Sequence, residues 1–142
     1  METTLFTLEQ ANKMLPLIKS ITANIVEAWA GIIEKRKKIE EFGALNLQRL
    51  ELLKEEINHF IDRLNGYIKE IEDLGCFVEE FRRGIINLPS LSNGRRVFLN
   101  WYPGDQSISY FHELDETFKD RCPMKQGIFS GTPRSEATRR SV

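Results

Sequence analysis

The chain holds two cysteines in 142 residues, Cys76 and Cys122, too far apart in sequence to form a CxxC pair. A zinc ribbon, a thioredoxin-type motif and a disulfide-dense scaffold are therefore excluded, and two reduced thiols are expected. Net charge is equally scarce, since 20 Lys plus Arg oppose 21 Asp plus Glu. Such a chain has no bulk field to draw a nucleic acid or an anionic membrane, and neither is expected as a partner. No apolar run approaches the roughly 18 residues of a membrane span. Met1-Glu2-Thr3-Thr4 also lacks the basic start and apolar stretch of a secretory signal, so the cytoplasm is the expected location.

What is present is an ordinary globular composition, 41% hydrophobic and 29% charged, at the length of one domain. Residues 1–126 are expected to form that domain. From Gly127 the chain turns to Gly, Ser, Thr, Pro and Arg without apolar period, which predicts a disordered, mildly basic tail over 127–142.

Two apolar stripes dominate the first half. Thr7-Leu8-Glu9-Gln10 has the form of a capping box, predicting a helix from Leu8. From there Leu8, Ala11, Leu15, Ile18, Thr22, Ile25, Trp29, Ile32, Arg36 and Ile39 alternate steps of three and four. After a break at Phe42-Gly43-Ala44, Leu50, Leu53, Ile57, Phe60, Leu64, Tyr67, Ile71 and Leu74 repeat the spacing, and Gly75 suits a left-handed helix end. An antiparallel, coiled-coil-like helical hairpin over residues 7–75 follows, with arms of about 52 and 44 Å. Met14, Ile21, Ile33, Leu47, Ile61 and Ile68 widen the stripes beyond what two helices need. A third contact is implied, either a second copy or the rest of the chain. Lys35-Arg36-Lys37-Lys38 is answered at once by Glu40-Glu41 and reads as a solvated helix face.

After Gly75 the period changes to two. Cys76 to Phe81 reads as a strand, Ile85 to Leu88 as a short one ended by Pro89, and Arg95 onward as a β-hairpin. The expected fold is α+β, the hairpin followed by a small antiparallel sheet of three or four strands over residues 76–126. Pairing Tyr102 with Ser107 sets Val97, Leu99, Trp101, Ile108, Tyr110 and His112 on one apolar face, leaving Asn100 and Glu113 toward water. A slip of one residue reverses that assignment.

An antiparallel hairpin returns Leu74 beside Leu15, so the sheet emerges near the start of the first helix. Glu9, Asn12, Trp101, His112 and Arg121 are therefore the candidate binding residues, combining carboxylate, amide, indole, imidazole and guanidinium. Pro16, inside the helix, would free the Asn12 carbonyl beside them. No catalytic set, metal site or cofactor emerges: His112, Glu113, Asp115, Cys76 and Cys122 have no ligand spacing, and a Cys122–His112 nucleophile lacks an oxyanion motif.

Phe6-Thr7-Leu8-Glu9-Gln10-Ala11-Asn12, Leu15-Pro16, Leu74-Gly75-Cys76, Gly84, Pro89, Gly94, Val97, Trp101, His112, Arg121 and Pro123 together resemble the bacterial family catalogued as domain of unknown function 2203. The resemblance covers residues 5 to 124. It implies the fold and the cluster but no reaction, and its pattern has an acidic residue where Asn87 stands and often a Cys where Asn100 stands.

Three functions are open at this stage. The first is a non-enzymatic interaction or scaffold module, a homo-oligomer built on the hairpin and offering a surface to a protein partner. The second is a small-molecule or anion-binding protein, conceivably an enzyme, with Arg121 clamping an acidic group. The third is RNA or ribosome contact along a basic sheet edge of Arg82, Arg83, Arg95 and Arg96.

Overall fold

The computed structural model describes residues 4–42, 45–124 and 129–130. Helix α1 (Leu8–Phe42) opens on the expected capping box: the Gln10 N–H donates to Thr7 Oγ1 at 3.0 Å and the Thr7 N–H to Gln10 Oε1 at 2.9 Å. Pro16 sits inside α1 without ending it. Helix α2 (Leu47–Asp73) is capped by Asn46, whose side chain accepts from the Arg49 N–H. Gly75 then leaves the helix at φ 93°, a backbone conformation that a Cβ would strain. The tight turn expected at Gly43 lies outside the described residues.

The stripes face inward as their spacing requires. Leu15, Ile18, Thr22, Ile25 and Ile32 of α1 are buried, as are Leu53, Leu64 and Ile71 of α2. The helices pack tightly at Gly31, where an added Cβ would lie 2.6 Å from the Phe60 ring. Among the described residues no helix is long and apolar enough to cross a membrane.

Five strands follow as an antiparallel meander in chain order: β1 (Phe77–Glu80), β2 (Ile85–Ser92), β3 (Arg95–Trp101), β4 (Tyr110–Glu113) and β5 (Cys122–Pro123). The sheet exceeds the three or four strands expected: β5 is a fifth, and a sixth segment, β6 (Phe129–Ser130), pairs with the end of β2. Those two residues fall within the predicted tail, and the rest of 127–142 lies outside the described residues. Ile86, Leu88, Leu99, Trp101 and Ile108 join the helices in one core. Asn93 and Gly94, at φ 54° and 79°, make the two-residue turn between β2 and β3.

Two expectations are corrected. Pro89 does not end a strand; β2 runs through it to Ser92. The Pro89 carbonyl turns outward and accepts the Phe6 N–H at 2.8 Å, so the missing proline N–H lies on that outer side and the ladder to β3 loses nothing. The β3–β4 register is also one residue away from the expected one: Phe98 pairs with His112, Leu99 with Phe111 and Asn100 with Tyr110. His112 therefore shares a face with Phe98 and Asn100, opposite the face of Leu99 and Trp101. Asn100 is fully buried rather than open to water.

The cause is the connection from Tyr102 to Ser109, which is not a tight turn. Asp105 closes a local loop, its N–H donating to the Tyr102 carbonyl and its carboxylate accepting the Tyr102 N–H. Ile108 leaves the ladder to meet Asn12, whose Oδ1 accepts the Ile108 N–H at 2.8 Å and whose Nδ2 donates to the Ile108 carbonyl at 3.2 Å. One amide side chain thus replaces a strand partner and shifts the pairing beyond it.

A buried polar network on the outer face of the sheet

The face of the sheet turned away from the helices carries a chain of polar side chains. Alternation along β2, β3 and β4 brings Asn87, Asn100 and His112 to that face. A bulge between Val78 and Glu80 in β1 aims Glu79 at them. The 114–121 segment between β4 and β5 covers the group, and its short 3-10 helix (Phe118–Asp120) is held where the Phe118 N–H donates to Glu79 Oε2 at 2.7 Å.

His112, 1% exposed, is the centre. Its Nδ1 meets the Glu113 carbonyl at 2.7 Å, an acceptor only, so that nitrogen carries a proton. Nε2 lies 2.9 Å from Glu79 Oε1 and 3.2 Å from Asn87 Oδ1, and the latter also accepts from Asn100 Nδ2 at 2.7 Å. Both ring nitrogens thus have hydrogen-bond partners, and the contact of Nε2 with Glu79 joins β4 to β1.

The network continues to Arg121. Its Nη1 and Nη2 form a bidentate pair with Asp105 at 2.6 and 3.0 Å, and Nη1 reaches Asn100 Oδ1 at 3.4 Å. The guanidinium sits 4.0 Å from the Tyr110 ring centre and 4.3 Å from that of Phe118. An Arg held between aromatic faces and a carboxylate fork has little left to offer an external anion.

Of the five residues singled out in the sequence, the fold brings His112 and Arg121 into one network. Trp101 lies on the opposite face, its indole N–H donating to the Asp105 carbonyl at 3.1 Å. Asn12 is spent on Ile108, while Glu9 is exposed at the helix surface and pairs with Lys13 at 3.7 Å. Glu79, Asn87, Asn100 and Asp105 complete the network and were not singled out. Their signal was hidden in the register.

The remaining candidates scatter. Arg82–Arg83 and Arg95–Arg96 flank opposite ends of β2, about 20 Å apart for a strand of that length, so they form no common edge. Arg83 and Arg95 are moreover engaged by Glu80 and Glu113. Cys122 is exposed, and its nearest polar neighbour is the Asp120 carbonyl. Burial pushes the Cys76 thiol up to about 12, so it stays protonated. Among the described residues no group of His, Cys, Asp and Glu is arranged to hold a metal ion. Cavities of about 490, 340 and 280 Å³ lie along the helices, lined by residues outside the network.

Residues 4–124 match the family described as an uncharacterized conserved protein, DUF2203. No curated protein and no solved structure matches the chain.

Proposed function

The chain belongs to the DUF2203 family, and we propose that it is a non-catalytic interaction module that self-associates through its helical hairpin. The observation that carries this reading is the apolar surface on the distal half of the hairpin. Ile33, Phe42, Leu45, Leu47, Leu52 and Ile61 are all exposed there, Leu45 and Leu47 by 81% and 76%. The sheet takes up part of the surplus apolar stripe, since Ile21 is buried and Met14 and Ile68 pack against the core. Ile33, Leu47 and Ile61 stay uncovered. Exposed apolar side chains along one stretch of a hairpin are surface that a protein contact would cover.

The occupant is a second copy, because the hairpin carries both charge signs at one level. Lys35 bridges to Glu56 across the two helices at 3.8 Å, with further lysines on α1 and glutamates on α2 beside them. An antiparallel copy meets each sign with its opposite. The polar network supports a structural role for the sheet, as its donors and acceptors are taken up internally. Sedimentation of the full chain over a wide concentration range tests the proposal. The wild type should form dimers or higher oligomers, and Leu47→Asp with Ile61→Asp should be monomeric with unchanged helical circular dichroism. A wild type that stays monomeric at every concentration sinks it.

A further inference from the structure

We infer that a groove between α1 and the turn from β1 to β2 binds a small amphiphilic anion, a single apolar chain ending in a carboxylate. The hollow, about 340 Å³, has an apolar floor of Val26, Trp29, Ala30 and Ile33 and carries Lys37 and Arg82 on its rim. Val26, Ala30, Ile33 and Lys37 follow one another at steps of four, three and four, a stripe about 16 Å long that is apolar until its last residue.

The turn is fastened against that stripe. The Trp29 and Phe81 rings lie 5.5 Å apart, centre to centre. At Gly84 an added Cβ would come within 2.9 Å of Val26 Cγ2, so the absence of a side chain lets the turn approach this closely. Arg82, between those two contacts, is thereby brought to the groove from a separate element. Its neighbour Arg83 takes Glu80 through two hydrogen bonds, at 2.8 and 3.0 Å, and Arg82 is left without an ion pair among the described residues. Lys37 has Glu40 and Glu41 within a turn of its own helix, yet pairs with neither among the described residues. Glu34, the acid on the rim, is met by Lys35 at 3.7 Å. A positive rim therefore stands over an apolar floor.

Size and charge choose the occupant. A stable protein contact buries about 800 Å² on each partner, far more than these four floor side chains offer. A hollow of about 340 Å³ is instead within the range of small-ligand sites. The floor takes an apolar chain, and the guanidinium and ammonium take its carboxylate. This assignment goes beyond self-association and shares only Ile33 with the surface proposed for it.

Decanoate, titrated below its micellar concentration at neutral pH, tests the assignment by tryptophan emission and by calorimetry. Trp29 is the reporter, because the chain's other tryptophan, Trp101, is buried in the core. Decanoate should shift the emission of the wild type and of the Leu47→Asp, Ile61→Asp chain alike, the latter leaving no second copy to fill the groove. Lys37→Ala with Arg82→Ala should weaken binding by about tenfold or more, and decanol should bind the wild type no better than decanoate binds that variant. Ala30→Phe, at an exposed position, should fill the floor and abolish binding with unchanged helical circular dichroism. No binding of decanoate, equal affinity for decanol, or binding that survives either substitution overturns the assignment, as does an acidic amphipathic peptide that binds through Arg82 where decanoate does not. A wild type that stays monomeric yet binds decanoate overturns self-association alone, and an oligomer that does not bind it overturns the groove alone.

Discussion

Thr22 is buried at the centre of the α1 stripe, and its hydroxyl finds no hydrogen-bond partner among the described residues. A buried hydroxyl without a partner forfeits its hydration for nothing, whereas a methyl of the same shape forfeits little. Thr22→Val should therefore raise the free energy of unfolding by about 1 kcal/mol in urea denaturation; an unchanged or lower midpoint would mean that the hydroxyl is satisfied in solution. Thr22 also explains a glycine. At Gly84, φ 73°, an added Cβ would lie 2.5 Å from Thr22 Cγ2. The side chain is pinned between helix and turn, and the apolar spacing alone could reveal only that the position faces inward.

At the scale of elements, Glu79 ties four pieces of chain together: its own strand, Asn100 of β3, His112 of β4 and the Phe118 amide of the covering segment. Removing one partner of a buried hydrogen bond leaves the other group unsatisfied. Glu79→Ala is expected to cost about 2 kcal/mol and to speed hydrogen exchange at the Phe118 amide. The exposed pair of Arg95 and Glu113 should matter far less. Exchange at Phe118 unaltered in the variant would show that the covering segment is held by other contacts. The helices were legible in the sequence because their apolar steps persist over many turns and each step repeats the evidence. The sheet was legible as strands but not as a register. Register depends on the path from Tyr102 to Ser109, which Asp105 and the distant Asn12 determine, and a one-residue error moved His112 from one face to the other. Neither partner is local to the strands it sets, so inspection of the strands could not supply them.

For the molecule as a whole, acid acts through two carboxylates at strand ends. A side-chain hydrogen bond from Arg83 holds Glu80 below its ordinary value, and one from Arg95 does the same for Glu113. A carboxyl depressed on folding contributes stability that is complete above its unfolded value and lost as pH falls through its folded one. Glu80→Gln with Glu113→Gln should therefore flatten the fall in melting temperature below about pH 4.5. Both side chains are about one-third exposed, so the difference should be modest and shrink with salt. Equal acid slopes for wild type and variant would show that these pairs do not form in solution. The Asn12 clamp bears on something other than stability, the order in which the chain is made. Its partner Ile108 lies 96 positions downstream, so at ordinary rates of synthesis roughly 5 to 20 seconds separate the two on the ribosome. Through that interval α2 and the earlier strands must shelter the inward stripe of the first helix without the clamp, and a nascent chain stalled before Ile108 should be the form that chaperones hold.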